Sequence, residues 1–317
     1  GSRGLGDVYK RQRQKSELIE SILMGIPIPL MYLFEDKNGK KQVVDGRQRI
    51  SAILDFLEGK FKLNNLRILK QFNGCCFADL DLKQQGVIED FQLLFYIIQP
   101  PTPERVKYDI FDRVNRGGTP LNKQEMRNAL YRGRCTRMLD KLCCSPEFLI
   151  ATGRSINKER MKDQYVVLRA IAFLMLHRGE FKDIPALQYR GDIDDFLARF
   201  MVYVNDNAPE KLIVDYENLF IRCMQISYDL LGENGFRFSG NGIRRPINMP
   251  LFEALSYLFS FVPEKIDYTW ASRLILDIES VKEEFDDSRY FSGNIDSTTS
   301  VSFRFDRMDK IINRIQL

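Results

Sequence analysis

The spacing of apolar residues changes period several times along the first 130 residues. Leu30-Met31-Tyr32-Leu33-Phe34 is an apolar run of strand length, Asp36-Lys37-Asn38-Gly39 carries the Asn-Gly signal of a tight hairpin turn, and Gln42-Val43-Val44 reads as the returning strand. Gly46 permits a sharp turn, after which Ile50, Ile53, Leu54 and Leu57 recur at helical spacing up to Gly59, a C-terminal cap. Phe91 to Ile98 predicts a buried strand. Thr102 to Val114 predicts a helix with Thr102 as cap, Pro103 at its first position and Val106, Ile110, Phe111 and Val114 on one side. Gly117 and Gly118 let the backbone fold back, and Asn122 followed by Glu125 has the spacing of a capping box for a second helix through Ala129.

Beyond residue 131 the pattern is helical alone. Helices are predicted over Lys162 to Leu176, Ile193 to Val204, Pro209 to Leu231, Asn248 to Phe259, Trp270 to Phe285 and Phe305 to Ile315. Aromatics such as Phe173, Phe196, Phe200, Tyr216, Phe220, Tyr228, Phe252 and Phe259 recur at spacings typical of packed helix faces. The fold class is α+β: a mixed domain over 13–131 followed by an all-α domain over 132–317. At 317 residues and 44% hydrophobic content the chain can bury a substantial core in each.

The strand-turn-helix corner Asp45-Gly46-Arg47-Gln48-Arg49 is the best candidate for chemistry. A first helical turn has unpaired N–H groups and a partial positive charge, so it attracts anions before side chains are counted. At about 100° per residue, Arg47 and Arg49 flank the stripe of Ile50, Ile53, Leu54 and Leu57, while Gln48 points away from it. Their guanidinium forks suit phosphate oxygens, and Asp45 can orient one of them or hold a divalent metal through water. The alternative is an Asp-Arg ion pair that closes a surface turn. In the second motif, Asn115, Arg116, Thr119 and the N–H groups of Gly117 and Gly118 are candidates to line the same pocket, as an anion-binding nest, although a capped helix-loop-helix explains the same residues.

Leu18-Ile19-Glu20-Ser21-Ile22-Leu23-Met24-Gly25-Ile26-Pro27-Ile28-Pro29, the hairpin, the Asp45 to Arg49 corner and Phe111 to Asn128 follow one another in an order that resembles the N-terminal domain family of the GmrSD type IV restriction endonucleases. The resemblance is close from Leu18 to Tyr131 and continues weakly at Arg244-Arg245-Pro246-Ile247-Asn248-Met249-Pro250-Leu251-Phe252-Glu253-Ala254-Leu255. It implies a ParB/sulfiredoxin-like core and nucleotide binding and hydrolysis that regulate DNA cleavage. The family's usual Asp-Gly-Gln-Gln-Arg stands here with Arg47 in place of the first glutamine, so Asp45, Gly46, Gln48 and Arg49 carry over directly. The implied cofactor is a nucleoside triphosphate with Mg2+, with Asp45 and Arg49 catalytic, and the implied partners are DNA and a separate His-Asn-His nuclease chain.

Composition removes other chemistries. His177 is the single histidine and closes an apolar helical run, so the chain lacks a His-Asn-His nuclease site, a histidine metal cluster and a Ser-His-Asp set. Glu35-Asp36-Lys37 is an isolated Glu-x-Lys beside a turn and reads as solvated. Cys75, Cys76, Cys135, Cys143, Cys144 and Cys223 include two adjacent pairs and no Cys-x-x-Cys, which is the pattern of reduced cytoplasmic thiols; no metal site is expected. Residues 1–12 read as the translated end of a sequencing adapter and are expected to be non-native. Arg169 interrupts the most apolar helix, so no membrane span is expected, and the expected location is the cytoplasm.

A net charge of +4 neither requires nor excludes nucleic acid. Arg127, Arg132, Arg134 and Arg137, and Arg154, Lys158, Arg160 and Lys162, are basic stretches that suit a phosphate backbone or a solvated face. Phe236-Arg237-Phe238 with Arg244-Arg245 suits single-stranded nucleic acid or packing on the N-terminal domain. The leading reading is a nucleotide-binding, hydrolysing regulator of a restriction or phage-defence system without its own nuclease. Its rivals are a DNA-binding adaptor and a nuclease-docking subunit, neither with turnover.

Overall fold

The structure, a computed structural model, describes residues 2–35, 38–99, 104–115, 121–239, 244–286 and 288–315. The chain divides into two compact units, 1–120 and 121–317. The first is mixed α/β and the second is helical, so the molecule is α+β.

In the first unit α1 (Ser2–Leu23) leads to β1 (Met31–Glu35) and β2 (Lys41–Asp45), which pair antiparallel around Asn38 and Gly39; Asp36 and Lys37 of the predicted turn lie outside the described residues. Gly39 supplies the positive φ of 77° that the turn needs. α2 (Arg47–Leu57) and α3 (Leu82–Glu89) then carry the chain across to β3 (Phe95–Ile98), which runs parallel to β1 and gives the sheet order β2-β1-β3. A parallel pair cannot be joined by a tight turn, and these two helices are the crossover. α4 (Glu104–Asn115) lies beside β2, with Lys107 Nζ 4.5 Å from the centre of the Phe34 ring.

Ile19 and Ile22 of α1, Ile53 and Phe56 of α2, and Leu63, Leu66, Leu80 and Ile88 form one apolar cluster. The Glu20 carboxylate is buried among them and accepts the N–H groups of Ile68 and Leu69, each at 2.8 Å, which fixes the loop after α2. Burial works to raise the pKa of Glu20, but the backbone donors of Leu69, Ile68 and Arg67 outweigh it and hold it below the usual value.

The buried strand predicted from Phe91 to Ile98 is corrected in length and environment. Only Phe95–Ile98 is strand, and Phe95, Tyr96 and Ile97 are exposed while Ile98 is buried. Among the described residues β3 pairs with β1 alone, so an apolar run that reads as core is left half open.

The second unit contains α5 (Lys123–Leu130), α6 (Arg134–Cys143), α7 (Pro146–Ala151), α8 (Lys162–His177), α9 (Ile193–Asp206), α10 (Glu210–Leu231), α11 (Met249–Phe259), α12 (Tyr268–Phe285) and α13 (Thr298–Ile315). Side-chain caps define several starts: Ser145 with Pro146 for α7, Asp192 for α9, Asn248 for α11 and Asp267 for α12. α8 is central, with Val166 to Met175 all buried, and it packs on α11, α6 and α9. α13 begins seven residues before the predicted Phe305, because its first two turns are serine- and threonine-rich and lack an apolar stripe.

Candidate functional site

β2 delivers Asp45 to the edge of a turn that only glycine can make. Gly46 has φ 97° and ψ 1°, and a Cβ there would sit 2.5 Å from Met31 Sδ. The turn therefore excludes a side chain twice, by backbone conformation and by contact. Ile50 N–H donates to the Gly46 carbonyl at 2.9 Å, closing the first turn of α2. No side chain caps this helix, so the N–H groups of Arg47, Gln48 and Arg49 lead it.

The two arginines have different surroundings. Arg49 is about three-quarters buried (23% exposed), donates from Nη2 to Asp45 Oδ2 at 2.5 Å and from Nη1 to the Pro29 carbonyl at 2.5 Å. It thus pins the Gly25 to Leu30 segment and β2 to the start of α2. Arg47 and Gln48 are exposed, and neither side chain has a hydrogen bond or ion pair among the described residues. Asp45 Oδ1 likewise accepts no hydrogen bond there. The corner thus presents one fixed guanidinium, one unengaged guanidinium and one carboxylate oxygen with open valence.

The structure brings Asp45, Gly46, Arg47, Gln48 and Arg49 together. Asn115 is the last residue of α4, the helix beside β2, and its side chain is not among those described. Arg116, Gly117, Gly118 and Thr119 lie outside the described residues. Asn122 caps α5 as predicted, accepting from Gln124 and Glu125 N–H at 2.9 Å, while its own N–H donates to Glu125 Oε2 at 2.7 Å.

Residues 7–132 match the family model of the GmrSD restriction endonuclease, N-terminal domain. No curated protein and no solved structure matches the chain. The GmrSD match takes in the Asp45 to Arg49 corner, all three strands and α5, and it covers the segment whose motifs carry the resemblance. Among the described residues no three His, Cys, Asp or Glu side chains form a metal-holding group, and no helix is long and apolar enough to cross a membrane.

Three residues of the two predicted basic stretches, Arg127, Arg134 and Arg160, have structural partners. Arg127 is 1% exposed and pairs with Asp194 at 2.8 Å, and Arg134 donates to Glu210 and to the Ala208 carbonyl, each at 2.9 Å. Arg132, Arg137, Arg154, Lys158 and Lys162 remain exposed. The aromatic-cationic segment is corrected: Phe236 and Phe238 are buried, Arg237 donates to the Thr152 carbonyl at 3.0 Å and to Arg245, and Arg245 pairs with Asp286 at 2.6 Å. These rings are core of the helical unit and offer no stacking platform.

Sequence reasoning missed a fully buried charge network. Arg169, Glu253 and Arg304 are each 0% exposed; Glu253 accepts from both arginines, Arg169 also pairs with Asp296 at 2.7 Å, and Arg304 donates to the carbonyls of Ile295 and Tyr290 at 2.7 and 2.9 Å. Its signal was present in two of the three residues: Arg169 is the lone charge in the apolar run 166–176, and Glu253 the lone charge of α11. His177 ends α8 and stacks on Phe305 with ring centres 3.6 Å apart. Burial, with a smaller contribution from Arg304, pushes its pKa down to about 4, so it is neutral at pH 7. It borders a cleft of about 280 Å³ with Tyr189 and Ser302; a second cleft, of about 420 Å³, is lined by Gln12, Arg13, Asn64, Asn65 and Asn73 and shares no residue with the arginine corner.

Proposed function

We propose that this chain is a nucleotide-binding regulatory component of a bacterial DNA restriction or phage-defence system, and that its N-terminal half has a ParB/sulfiredoxin-like core. The single observation that carries the reading is the pairing of Arg47 and Arg49 on an uncapped helix start, after an obligatory glycine, inside the GmrSD-matched segment. Arg47 is the entry cation for a triphosphate. Arg49 then exchanges Asp45 for a phosphate oxygen, and the N–H groups after Gly46 cradle the phosphates, with Gln48 at the rim. Asn115, Arg116, Thr119 and the N–H groups of Gly117 and Gly118 complete the pocket.

Asp45 fits magnesium as one carboxylate ligand, since Mg2+ is commonly held by one or two carboxylates with phosphate oxygens and water. The ion would neutralise phosphate charge. Hydrolysis in such a site is positioning and charge stabilisation without a covalent intermediate. DNA cleavage belongs to a separate His-Asn-His nuclease chain, and DNA contact falls to the exposed cations Arg132, Arg137, Arg154, Lys158 and Lys162.

One observation favours a second reading. Arg49 bonded to both Asp45 and the Pro29 carbonyl is what a structural tie would look like. An adaptor that binds DNA, or docks a nuclease, without turnover needs no more. Phosphate release from each of the four nucleoside triphosphates with Mg2+, with and without DNA, separates the two. Release that depends on Arg49 supports the regulator, and DNA binding that ignores every nucleotide supports the adaptor.

A further inference from the structure

The turn into α8 holds two consecutive non-glycine residues in the left-handed region: Arg160 at φ 57°, ψ 29° and Met161 at φ 59°, ψ 33°. For L-residues this conformation is disfavoured by roughly five- to thirtyfold per residue, so it persists only where neighbouring contacts impose it. The contacts come from the start of α5. Asn122 Nδ2 donates to the Arg160 carbonyl at 2.7 Å, and the Arg160 guanidinium meets Glu125 Oε2 at 3.0 Å. Asn122 and Glu125 are also the two halves of the α5 capping box. The same pair of side chains therefore starts one helix and holds the strained entrance of another.

The rest of the α5 docking surface is largely polar. Gln124 and Arg127 are 3% and 1% exposed, Arg127 and Lys123 both bind Asp194, and Asn128 binds Gln164. Met126 and Leu130 supply its apolar part. By contrast, α8 from Val166 to Met175 is buried on every side. A helix seated through ion pairs and amides, on a strained turn, opens at lower cost than one seated in an apolar core.

We propose that α5 is a detachable strap, clasped to the helical unit by Asn122 and Glu125, and that release of the clasp lets Arg160 and Met161 relax without unfolding α8. The proposal does not depend on nucleotide binding.

Hydrogen exchange on the full chain tests it, read separately over 123–130, 158–164 and 166–175. The strap requires the first two segments to exchange together and faster than the third. Met161→Gly, which relieves the left-handed strain, is expected to slow α5 exchange about fivefold or more relative to Met161→Ala, which shortens the side chain and keeps the strain. Asn122→Ala is expected to speed α5 exchange and leave 166–175 unchanged. Exchange of α5 only in a common opening with 166–175, or equal α5 rates in the glycine variant, the alanine variant and the wild type, would overturn the strap.

Discussion

Asp45 and Arg49 meet at 2.5 Å across the first turn of α2, one at the end of a strand and the other three residues past the glycine that turns the chain. The same guanidinium reaches the Pro29 carbonyl, so a single side chain joins three pieces of sequence. Both ends of the ion pair are about one-quarter exposed, which limits its contribution to stability.

Asp45→Asn is therefore expected to cost only about 1 kcal/mol in chemical denaturation. Because it frees Arg49, it should tighten binding of tripolyphosphate in the absence of magnesium. Calorimetric titration of wild type and variant checks the sign; weaker binding by the variant would show that Asp45 does not restrain Arg49.

Gly46→Ala should be far more damaging. A φ of 97° and the approach to Met31 together predict a loss of about 2–4 kcal/mol. In the double variant with Met31→Ala, the contact part of the loss should be recovered and the conformational part should remain, as read from denaturation midpoints.

The buried network offers a second stability test, independent of any ligand. Glu253→Leu leaves Arg169 and Arg304 without their shared carboxylate in a fully buried site, and a loss of about 3–5 kcal/mol is expected. A loss below about 1 kcal/mol in urea denaturation would mean that water reaches the arginines.

His177 predicts a pH dependence with a definite sign. Its folded pKa of about 4 lies below the ordinary 6.5, so between these values the unfolded chain binds a proton that the folded chain refuses. Stability should be full above pH 6.5 and fall as the pH drops toward 4, by about 3 kcal/mol in all. In His177→Phe that slope between pH 6.5 and 4 should flatten, as measured by denaturation midpoints at each pH.

The hairpin, the turn at Gly46 and the major helices of the second unit were legible because each has a strong local signal: Asn38-Gly39, a glycine before a helical stripe, and long apolar periods. α6 and α7 were not read as helices. α7 is six residues long, too short to show a period; α6 does carry a helical stripe, Cys135, Met138, Leu139 and Leu142, but its arginines and cysteines read as a basic stretch and as thiols instead. The exposure of β3 depends on how many strands flank it, which no local pattern reveals. At the candidate site the residue set was legible but the state of Arg49 was not, because its second partner is a backbone carbonyl twenty positions away.

The arginine corner is expected to bind a nucleoside triphosphate. Titration of a fluorescent triphosphate into wild type, Arg47→Ala and Arg49→Ala, each first shown to be folded, tests it most directly. Binding at least tenfold weaker is expected in both variants, equivalent to about 1.4 kcal/mol or more for each lost charge-assisted contact. Equal affinity in all three proteins would contradict it and leave Arg49 as a structural tie between Asp45 and Pro29.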